Sequence, residues 1–432
     1  MTNFLENVNS VIWGFPMLIF FLFTAFRFTY KSHFFQFRGI PKILQTTIGS
    51  FFKKSKGNGL NQFSTLCSVL GACLGTGNIV GVATAIYSGG PGTVFWMWIS
   101  AFLSMMTAYA ENFLGIKYKT KTLYGAFSYI ENGLKMKGLS KIYALFCLLS
   151  ALGMGNMTQS NSFSEAIVNC TNFNKIAIGL ITSVICFIII SGGIKRIAKV
   201  QTVTVPVISI FYFFLSFLVL YKFKENIIPC FILIFKEAFS PKALSGFGFY
   251  RAMRFGVARG VFSNEAGLGS STLLHSQADD ENGETQGIWA MTEVFIDTIL
   301  MCTITAITIL VTTYNSKIYL FGAQLSAKAY STIGNSGKTG ISLLTAAFAF
   351  SSLSSCSFYG EISFRQLFGN KYTVIYKVIY AVLIFTGAVT SPKIIWTIAD
   401  ICNGLMAIPN LFALNCLSKE IEYPKKRKLP IK

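Results

Sequence analysis

The stretch GACLGTGN, residues 71–78, lies inside an apolar run, 63–88, that is long enough to cross a bilayer. A second stretch of the same character, GVFSNEAGLG at 260–269, lies inside the apolar run 249–274. Glycine weakens a helix by about 1 kcal/mol relative to alanine, and lipid cannot satisfy the backbone groups that a break exposes. Because such breaks survive where they line a cavity, the two stretches predict two interrupted membrane helices.

The composition places the whole chain in a membrane. Of 432 residues, 53% are hydrophobic and 12% are charged, against about 25% charged in ordinary soluble domains. Mean hydropathy is +0.55. These values exclude most soluble enzymes and intrinsic disorder. The net charge of +20 does not indicate nucleic-acid binding, because the basic residues lie in the gaps between apolar runs.

Eleven apolar runs are candidate membrane spans, which predicts an all-α polytopic membrane protein. The runs are 12–29, 63–88, 94–116, 142–168, 176–190, 200–221, 249–274, 288–313, 341–358, 374–389 and 394–417. The apolar segment 227–239 is too short to span and is interpreted as an interfacial or re-entrant helix.

The distribution of positive charge predicts the orientation. If the N-terminus is outside and each run crosses once, the cytoplasmic gaps carry 25 of the 37 Lys and Arg residues. Those gaps are 27–56, 117–141, 195–199, 365–377 and the tail 419–432. Because short cytoplasmic loops are enriched in Lys and Arg, we expect the N-terminus outside and the C-terminus in the cytoplasm.

The two interrupted spans stand at matching places, each opening a block of five spans. Five is odd, so the two blocks have opposite topology, which is the layout of an inverted-repeat secondary transporter. The predicted organisation is a single membrane domain, 1–432. It comprises an extra N-terminal helix at 12–29, repeats at 60–221 and 245–417, and a basic tail at 418–432. Small residues also allow close helix packing, and for one such span alone that interpretation would be favoured.

A broken helix offers backbone N–H groups to an anion at one half and carbonyl groups to a cation at the other. Thr76 and Asn78 add polar groups to the first break. Gln159 and Phe163 share a helix face, and an amide beside an aromatic ring suits a small zwitterion, although helix–helix hydrogen bonding explains them equally well. Serine hydroxyls in the ninth span, FSSLSS at 350–355, suit sodium, with close packing as the alternative.

Acidic residues inside the apolar runs are functional candidates by default. They are Glu111, Glu265, Glu293, Asp297, Glu361 and Asp400. We expect several to be paired with Arg254, Arg259, Lys or backbone, and one could carry a proton. The ten cysteines show no metal-ligand spacing. No group of residues has the pattern of a catalytic nucleophile or a cofactor site, so the sequence does not predict a membrane enzyme.

Seven segments together resemble the alanine or glycine:cation symporter family, also called sodium:alanine symporters. They are GTGNIVGVATAI at 75–86, GGPG at 89–92 with FWMW at 95–98, GNM at 155–157 with Gln159, SNEAGLGS at 263–270, VFIDT at 294–298, FYGE at 358–361, and Asp400 with NGLM at 403–406 and PN at 409–410. The segments follow one another from about residue 60 to 412, so the resemblance covers nearly the whole chain.

The resemblance implies a LeuT-like five-plus-five core with one extra N-terminal helix, and sodium-driven import of alanine or glycine across a bacterial or archaeal plasma membrane. By position, Thr76 and Gly77 would hold the substrate carboxylate. Gln159, Phe163 and Phe262 would line the amine and side-chain pocket.

The wider fold implies where sodium binds. The ion would lie between backbone carbonyls near Gly71 and Leu74 and the hydroxyls of Ser351 and Ser352. Sodium is expected as the coupling ion, without a cofactor.

The chain departs from the family pattern at two places. The family usually has Gly-Trp where Ser355 and Cys356 stand, and Phe358 replaces a Tyr. Since that Trp is expected to wall the substrate pocket, Cys356 predicts a larger cavity or a different substrate. The usual His-Pro before the eighth span is missing around Gly283 and Glu284.

The prediction is therefore a transporter that imports a small neutral amino acid by sodium symport and alternating access. Two alternatives remain: a proton-coupled importer that uses an intramembrane acid, and an amino-acid sensor that has lost transport. We expect a small neutral amino acid, sodium and the lipid bilayer as partners, and no nucleic acid.

Overall fold

Apolar runs in lipid fold as helices because each backbone N–H must find its acceptor within its own segment. The computed structural model describes residues 2–50, 59–171, 173–239, 247–314, 320–390 and 392–424. These residues form helices joined by short loops, with one isolated β-bridge between Leu60 and Ala278.

The main helices are numbered here in chain order. They are α1 (Thr2–Ile12), α2 (Phe15–Lys31), α3 (Gln62–Cys73), α4 (Gly77–Gly89), α5 (Thr93–Lys117), α6 (Lys137–Val168), α7 (Lys175–Ser191), α8 (Gly193–Lys222), α9 (Ile227–Ala238), α10 (Phe247–Asn264), α11 (Ser271–His275), α12 (Gly283–Thr312), α13 (Ala323–Ser331), α14 (Asn335–Phe368), α15 (Thr373–Val389) and α16 (Pro392–Cys416). Shorter helical segments lie at Phe35–Arg38, Ile40–Thr47 and Ala126–Ser128.

Both predicted interruptions are present. Helices α3 and α4 form one span bent by 48°. The seventh predicted run is divided into α10 and α11, which are separated by residues 265–270. The polar and glycine-rich stretches therefore break their helices, as the sequence predicts.

The number of spans is only partly established. Within the described residues, eight helices are long and apolar enough to cross a membrane, or nine if the bent pair α3 and α4 counts as one span. Helix α7 has 17 residues, and α10 with α11 is interrupted and rich in polar residues. All eleven predicted runs coincide with helices, but a count of eleven membrane crossings stays a prediction.

Some boundaries differ from the predicted runs. The N-terminal run begins as two helices, α1 and α2, because Gly14 is extended and Pro16 starts the second one. Helix α14 has 34 residues, well beyond the predicted 341–358. The short segment 227–239 is the 12-residue helix α9, in agreement with its predicted length. Residues 425–432 of the predicted basic tail lie outside the described residues.

Corresponding helices of the two predicted blocks pack against one another. Helix α5 packs against α12, α6 against α14, and α7 against α15. The interrupted helices also meet, since α10 packs against α4. As a result the two breaks, α6 and α14 come together in the middle of the molecule.

Apolar side chains point outward on the peripheral helices. On α8, Val203, Ile210, Phe214 and Phe217 each leave more than half of their surface exposed. Such a face is stable in contact with lipid rather than water. The exposed face agrees with a helix at the lipid boundary.

The contact between α6 and α14 leaves no space for a side chain at Gly155. A Cβ there would lie 2.4 Å from the Cβ of Cys356. We expect Gly155→Ala to lower stability by about 1–3 kcal/mol through overpacking, and Cys356→Gly to restore most of that loss in the double variant. Thermal unfolding in detergent measures both effects.

Gly138→Ala is the matched control on the same helix, because no described heavy atom lies within 4 Å of its Cβ position. Equal unfolding midpoints for Gly155→Ala and Gly138→Ala would contradict the close helix contact.

Candidate functional site

The first break presents two donors of Thr76 to helix α6. Asn61 caps the start of helix α3, and its side chain accepts a hydrogen bond from the Ser64 N–H at 2.7 Å. The helix ends at Cys73, because Leu74 leaves the helical conformation. Just beyond it, the backbone N–H and the hydroxyl of Thr76 both donate to Gln159 Oε1, at 3.2 and 3.1 Å. A single acceptor thus receives both donors, an arrangement that a carboxylate oxygen could also use.

Asn78 connects the first break to the second one. Its Oδ1 accepts from the Gly75 N–H at 3.0 Å. Its Nδ2 donates to Asp297 Oδ1 at 2.7 Å and to Ser263 Oγ at 2.9 Å. Because both ends of the amide bind protein groups, Asn78 links the two breaks, and it stays with Thr76 and Gly77 among the predicted substrate-binding residues.

The second break is built on three residues with positive φ. Glu265 has φ 54°, Gly267 has φ 93° and Gly269 has φ 78°. A Cβ at Gly269 would also lie 2.8 Å from Tyr143 Oη and from Asn410 Oδ1. The turn between α10 and α11 therefore favours glycine at position 269, where φ is positive and the neighbouring helices leave no space for a side chain.

Aromatic rings and a buried ion pair lie beside the first break. The Phe262 ring stacks on Trp396 with a centroid distance of 5.1 Å, and the Cβ position of Gly77 lies 3.4 Å from the Phe262 ring. Arg259 donates to both carboxylate oxygens of Asp400, at 3.0 and 2.5 Å. Its guanidinium also lies over Phe262 and Trp396, at 5.3 and 5.5 Å from the ring centroids. Phe262 is thereby held against the break.

The four predicted sodium ligands come together. Ser351 Oγ lies 3.2 Å from the Gly71 carbonyl oxygen, and Ser352 Oγ lies 3.5 Å from the Leu74 carbonyl oxygen. All four residues are buried. Carbonyls at the end of a half-helix together with hydroxyls from a neighbouring helix are groups that bind sodium in transporters. The tertiary structure thus places each hydroxyl beside one of the two carbonyls, between α3 and α14, and sodium binding there stays a prediction.

Gln201 on α8 belongs to the same oxygen cluster and was not predicted. Ser351 Oγ donates to Gln201 Oε1 at 2.6 Å. Gln201 Nε2 donates in turn to the Ser351 carbonyl at 3.1 Å and to Ser354 Oγ at 2.7 Å. An uncharged amide at the start of the run 200–221 is the signal that could have identified it.

The remaining predicted residues lie one helical turn away. Phe163 follows Gln159 by one turn, and its ring lies 6.2 Å from the Phe350 ring on α14. Cys356 follows Ser352 by one turn and packs against Gly155. The structure therefore brings Thr76, Gly77, Gln159 and Phe262 together, with Phe163 and Cys356 at the periphery.

Several acids inside the spans have cationic partners, as predicted. Asp400 pairs with Arg259, and Glu361 pairs with Arg365 and with Lys377. Glu293 Oε2 lies 3.2 Å from His275 Nε2. These three acids therefore have a basic side chain within ion-pair distance.

We expect the Arg259–Asp400 pair to be strongly coupled because both side chains are only 10% exposed. Removing one partner, in Arg259→Met or Asp400→Leu, should cost about 3–5 kcal/mol, since the other charge is left buried alone. The double variant should recover most of this loss. Unfolding midpoints of the three variants measure the coupling.

Lys42→Met is the control, because the Lys42–Glu284 pair is about 40% exposed and is expected to contribute about 0–1 kcal/mol. Additive losses in the double variant would show that Arg259 and Asp400 do not stabilise each other.

Comparisons with known proteins bear on the family of this chain. A family model described as "Sodium:alanine symporter family" matches residues 1–426. The sodium/alanine symporter AgcS of Methanococcus maripaludis is 36% identical, over 96% of this chain and 94% of that protein. An uncharacterized transporter of Haemophilus influenzae is 38% identical, over 97% and 94%. A Bacillus subtilis protein named "Probable sodium/glutamine symporter GlnT" is 32% identical, over 98% and 90%.

One solved structure shares the fold. It is the substrate-bound, outward-open state of a Na⁺-coupled sialic acid symporter, with a TM-score of 0.56 and 14% identity. The match covers 95% of this chain and 82% of that one, and it supports the expected LeuT-like fold. With the family match over nearly its whole length, the chain belongs to the sodium:alanine symporter family and is a multi-pass membrane transporter, not an enzyme.

Proposed function

We propose that this protein imports a small neutral amino acid, alanine or glycine, by sodium symport and alternating access. Family membership supports sodium-coupled amino-acid transport as the general function. The observation that carries the proposal is that one helix break presents the Thr76 donors on one side and the Gly71 and Leu74 carbonyls on the other.

The substrate carboxylate binds at Thr76 and Gly77. A carboxylate at this point accepts the hydrogen bonds that Gln159 Oε1 accepts in the structure described here. Gln159 Oε1 is then free to accept from the substrate ammonium group. Phe262, whose ring lies against the break, and Phe163, one helical turn beyond Gln159, bound the side-chain space, which suits a small substrate.

Sodium binds among the Gly71 and Leu74 carbonyls and the Ser351 and Ser352 hydroxyls, and Gln201 Oε1 is a further oxygen at this place. An ion here joins the end of α3 to α14 and holds the break in one conformation. Since the same break supplies the carboxylate donors, sodium binding favours substrate binding, and the coupling is reciprocal.

The arrangement of helices supports two inverted repeats, 60–221 and 245–417, after an N-terminal helix that contains residues 12–29. The pairs α5 with α12, α6 with α14, and α7 with α15 are those that a two-fold relation between the repeats requires. In the proposed orientation the N-terminus is outside and the tail is cytoplasmic, in a bacterial or archaeal plasma membrane.

Uptake by the purified protein in liposomes tests the function. An inward sodium gradient should drive accumulation of radiolabelled alanine, and an equal potassium gradient should not. Competition by glycine, serine, glutamine and D-alanine then defines the substrate. Equal uptake with both ions would contradict sodium symport and favour a proton gradient, whereas substrate binding without uptake would favour the sensor alternative.

Loss of an oxygen ligand should weaken sodium binding more than substrate binding. We expect Ser351→Ala, and separately Gln201→Ala, to raise the sodium concentration for half-maximal alanine uptake by about tenfold, which corresponds to about 1.4 kcal/mol. Initial uptake rates at graded sodium concentrations measure the change.

Thr345→Ala is the matched control, because this buried hydroxyl on the same helix bonds only to its own helix at Ile341, among the described residues. An unchanged sodium requirement in Ser351→Ala would remove Ser351 from the site.

A further inference from the structure

Glu265 is a buried acid at the second break that the proposed sodium and substrate sites do not use. Glu265 is only 2% exposed, and its backbone φ is 54°. Ser270 Oγ donates a hydrogen bond to its carboxylate. An acid in this position needs either a cation or a proton to offset its charge.

A small cavity borders this carboxylate. It has room for about one water molecule and is lined by Glu265, Ser270, Tyr359, Ser150 and the apolar residues around them. The Tyr359 hydroxyl is buried at the same cavity and interacts with the Glu265 carboxylate. The lining therefore offers the polar groups of Glu265, Ser270 and Tyr359 to a water molecule, and a buried water needs several such partners.

No cation faces Glu265 from the described helices around it. The titratable groups that interact with it are Cys73 on α3, Tyr143 and Cys147 on α6, Glu293 and Asp297 on α12, and Cys356 and Tyr359 on α14. The acids Asp400, Glu361 and Glu293 differ from it, because each lies beside Arg, Lys or His.

The Asp297 carboxylate differs from that of Glu265 in its surroundings. It accepts hydrogen bonds from Asn78 and from Thr298, both at 2.7 Å. Glu111 accepts from the Asn410 amide at 2.5 Å. Among these acids, Glu265 is the one that lines the cavity.

We propose that Glu265 is a proton-binding site of the transport cycle, protonated in the packed state described here and ionised when water reaches the second break. In this step a proton from water adds to one carboxylate oxygen and later returns to water, so atoms and charge balance. A water molecule in the cavity connects the carboxyl group to the Tyr359 hydroxyl. The packed state of the sodium-driven cycle requires a neutral group at this position, so the inference rests on the proposed function.

The position of Glu265 explains why a proton would matter there. The residue lies between α10 and α11, where the chain turns, and the cavity is closed by α6 and α14. If the carboxyl group ionised in this packed state, the charge would be buried without a counter-ion. Ionisation thus favours opening of the break, and protonation favours its closure.

Infrared difference spectroscopy of the full-length protein in liposomes tests proton binding without transport. Acid-minus-alkaline spectra of the wild type should contain the carbonyl band of a protonated buried carboxyl group. The band should be lost in Glu265→Gln and retained in Glu165→Gln, whose partly exposed acid lies near Lys175. Persistence of the whole band in Glu265→Gln would overturn the proposal.

Uptake measurements then test the role of the proton. With equal pH on both sides and a fixed sodium gradient, wild-type uptake should fall about tenfold per pH unit once the group ionises, within about pH 5–9. Glu265→Gln should keep its sodium dependence and lose this pH dependence. Glu165→Gln should keep the wild-type profile.

Tyr359→Phe provides a second variant in case Glu265→Gln does not fold. It retains the carboxyl group and removes the hydroxyl, so we expect a displaced midpoint of the pH profile with sodium dependence retained. An unchanged midpoint, or wild-type uptake that is independent of pH, would contradict the proposal. Absence of sodium-driven uptake in the wild type would contradict the proposed function instead, and the infrared titration would still decide on Glu265.

Discussion

The backbone groups released at the two helix breaks must be satisfied without water, and the rest of the site depends on how this is done. Asn78 supplies much of the answer, because its amide accepts from the first break and donates to Asp297 and Ser263. This one side chain joins the start of α4 to α10 and α12. Without it, the Gly75 N–H would lose this acceptor, and an unpaired backbone group is costly in a membrane interior.

The break supplies backbone N–H and carbonyl groups that are paired within the helix in an unbroken membrane span. Its N–H groups and the Thr76 hydroxyl are donors for an anion, and the carbonyls that precede it are acceptors for a cation. Helix α14 adds hydroxyls, and α6 adds the Gln159 amide. Binding of a zwitterion and of a sodium ion can therefore be linked through a few residues of backbone.

Charge inside the molecule is handled in three ways. Arg259 and Asp400 neutralise each other beside the aromatic pair Phe262 and Trp396. Asp297 is held by hydrogen-bond donors. Glu265 accepts a hydrogen bond from Ser270, and unlike Asp297 and Glu111 it lines a cavity, which is why the proton is proposed there.

The sequence by itself determined the membrane class, the two broken helices and the polar residues at the first break, because composition and glycine position act locally through the backbone. It also indicated Ser351 and Ser352 as oxygen ligands. Only the tertiary structure decided that Gln201 bonds to Ser351, that Asn78 bonds to Asp297, and that Arg259 is the partner of Asp400. These outcomes depend on which helix faces meet, and residues some 140 to 220 positions apart come together through packing that no local pattern encodes.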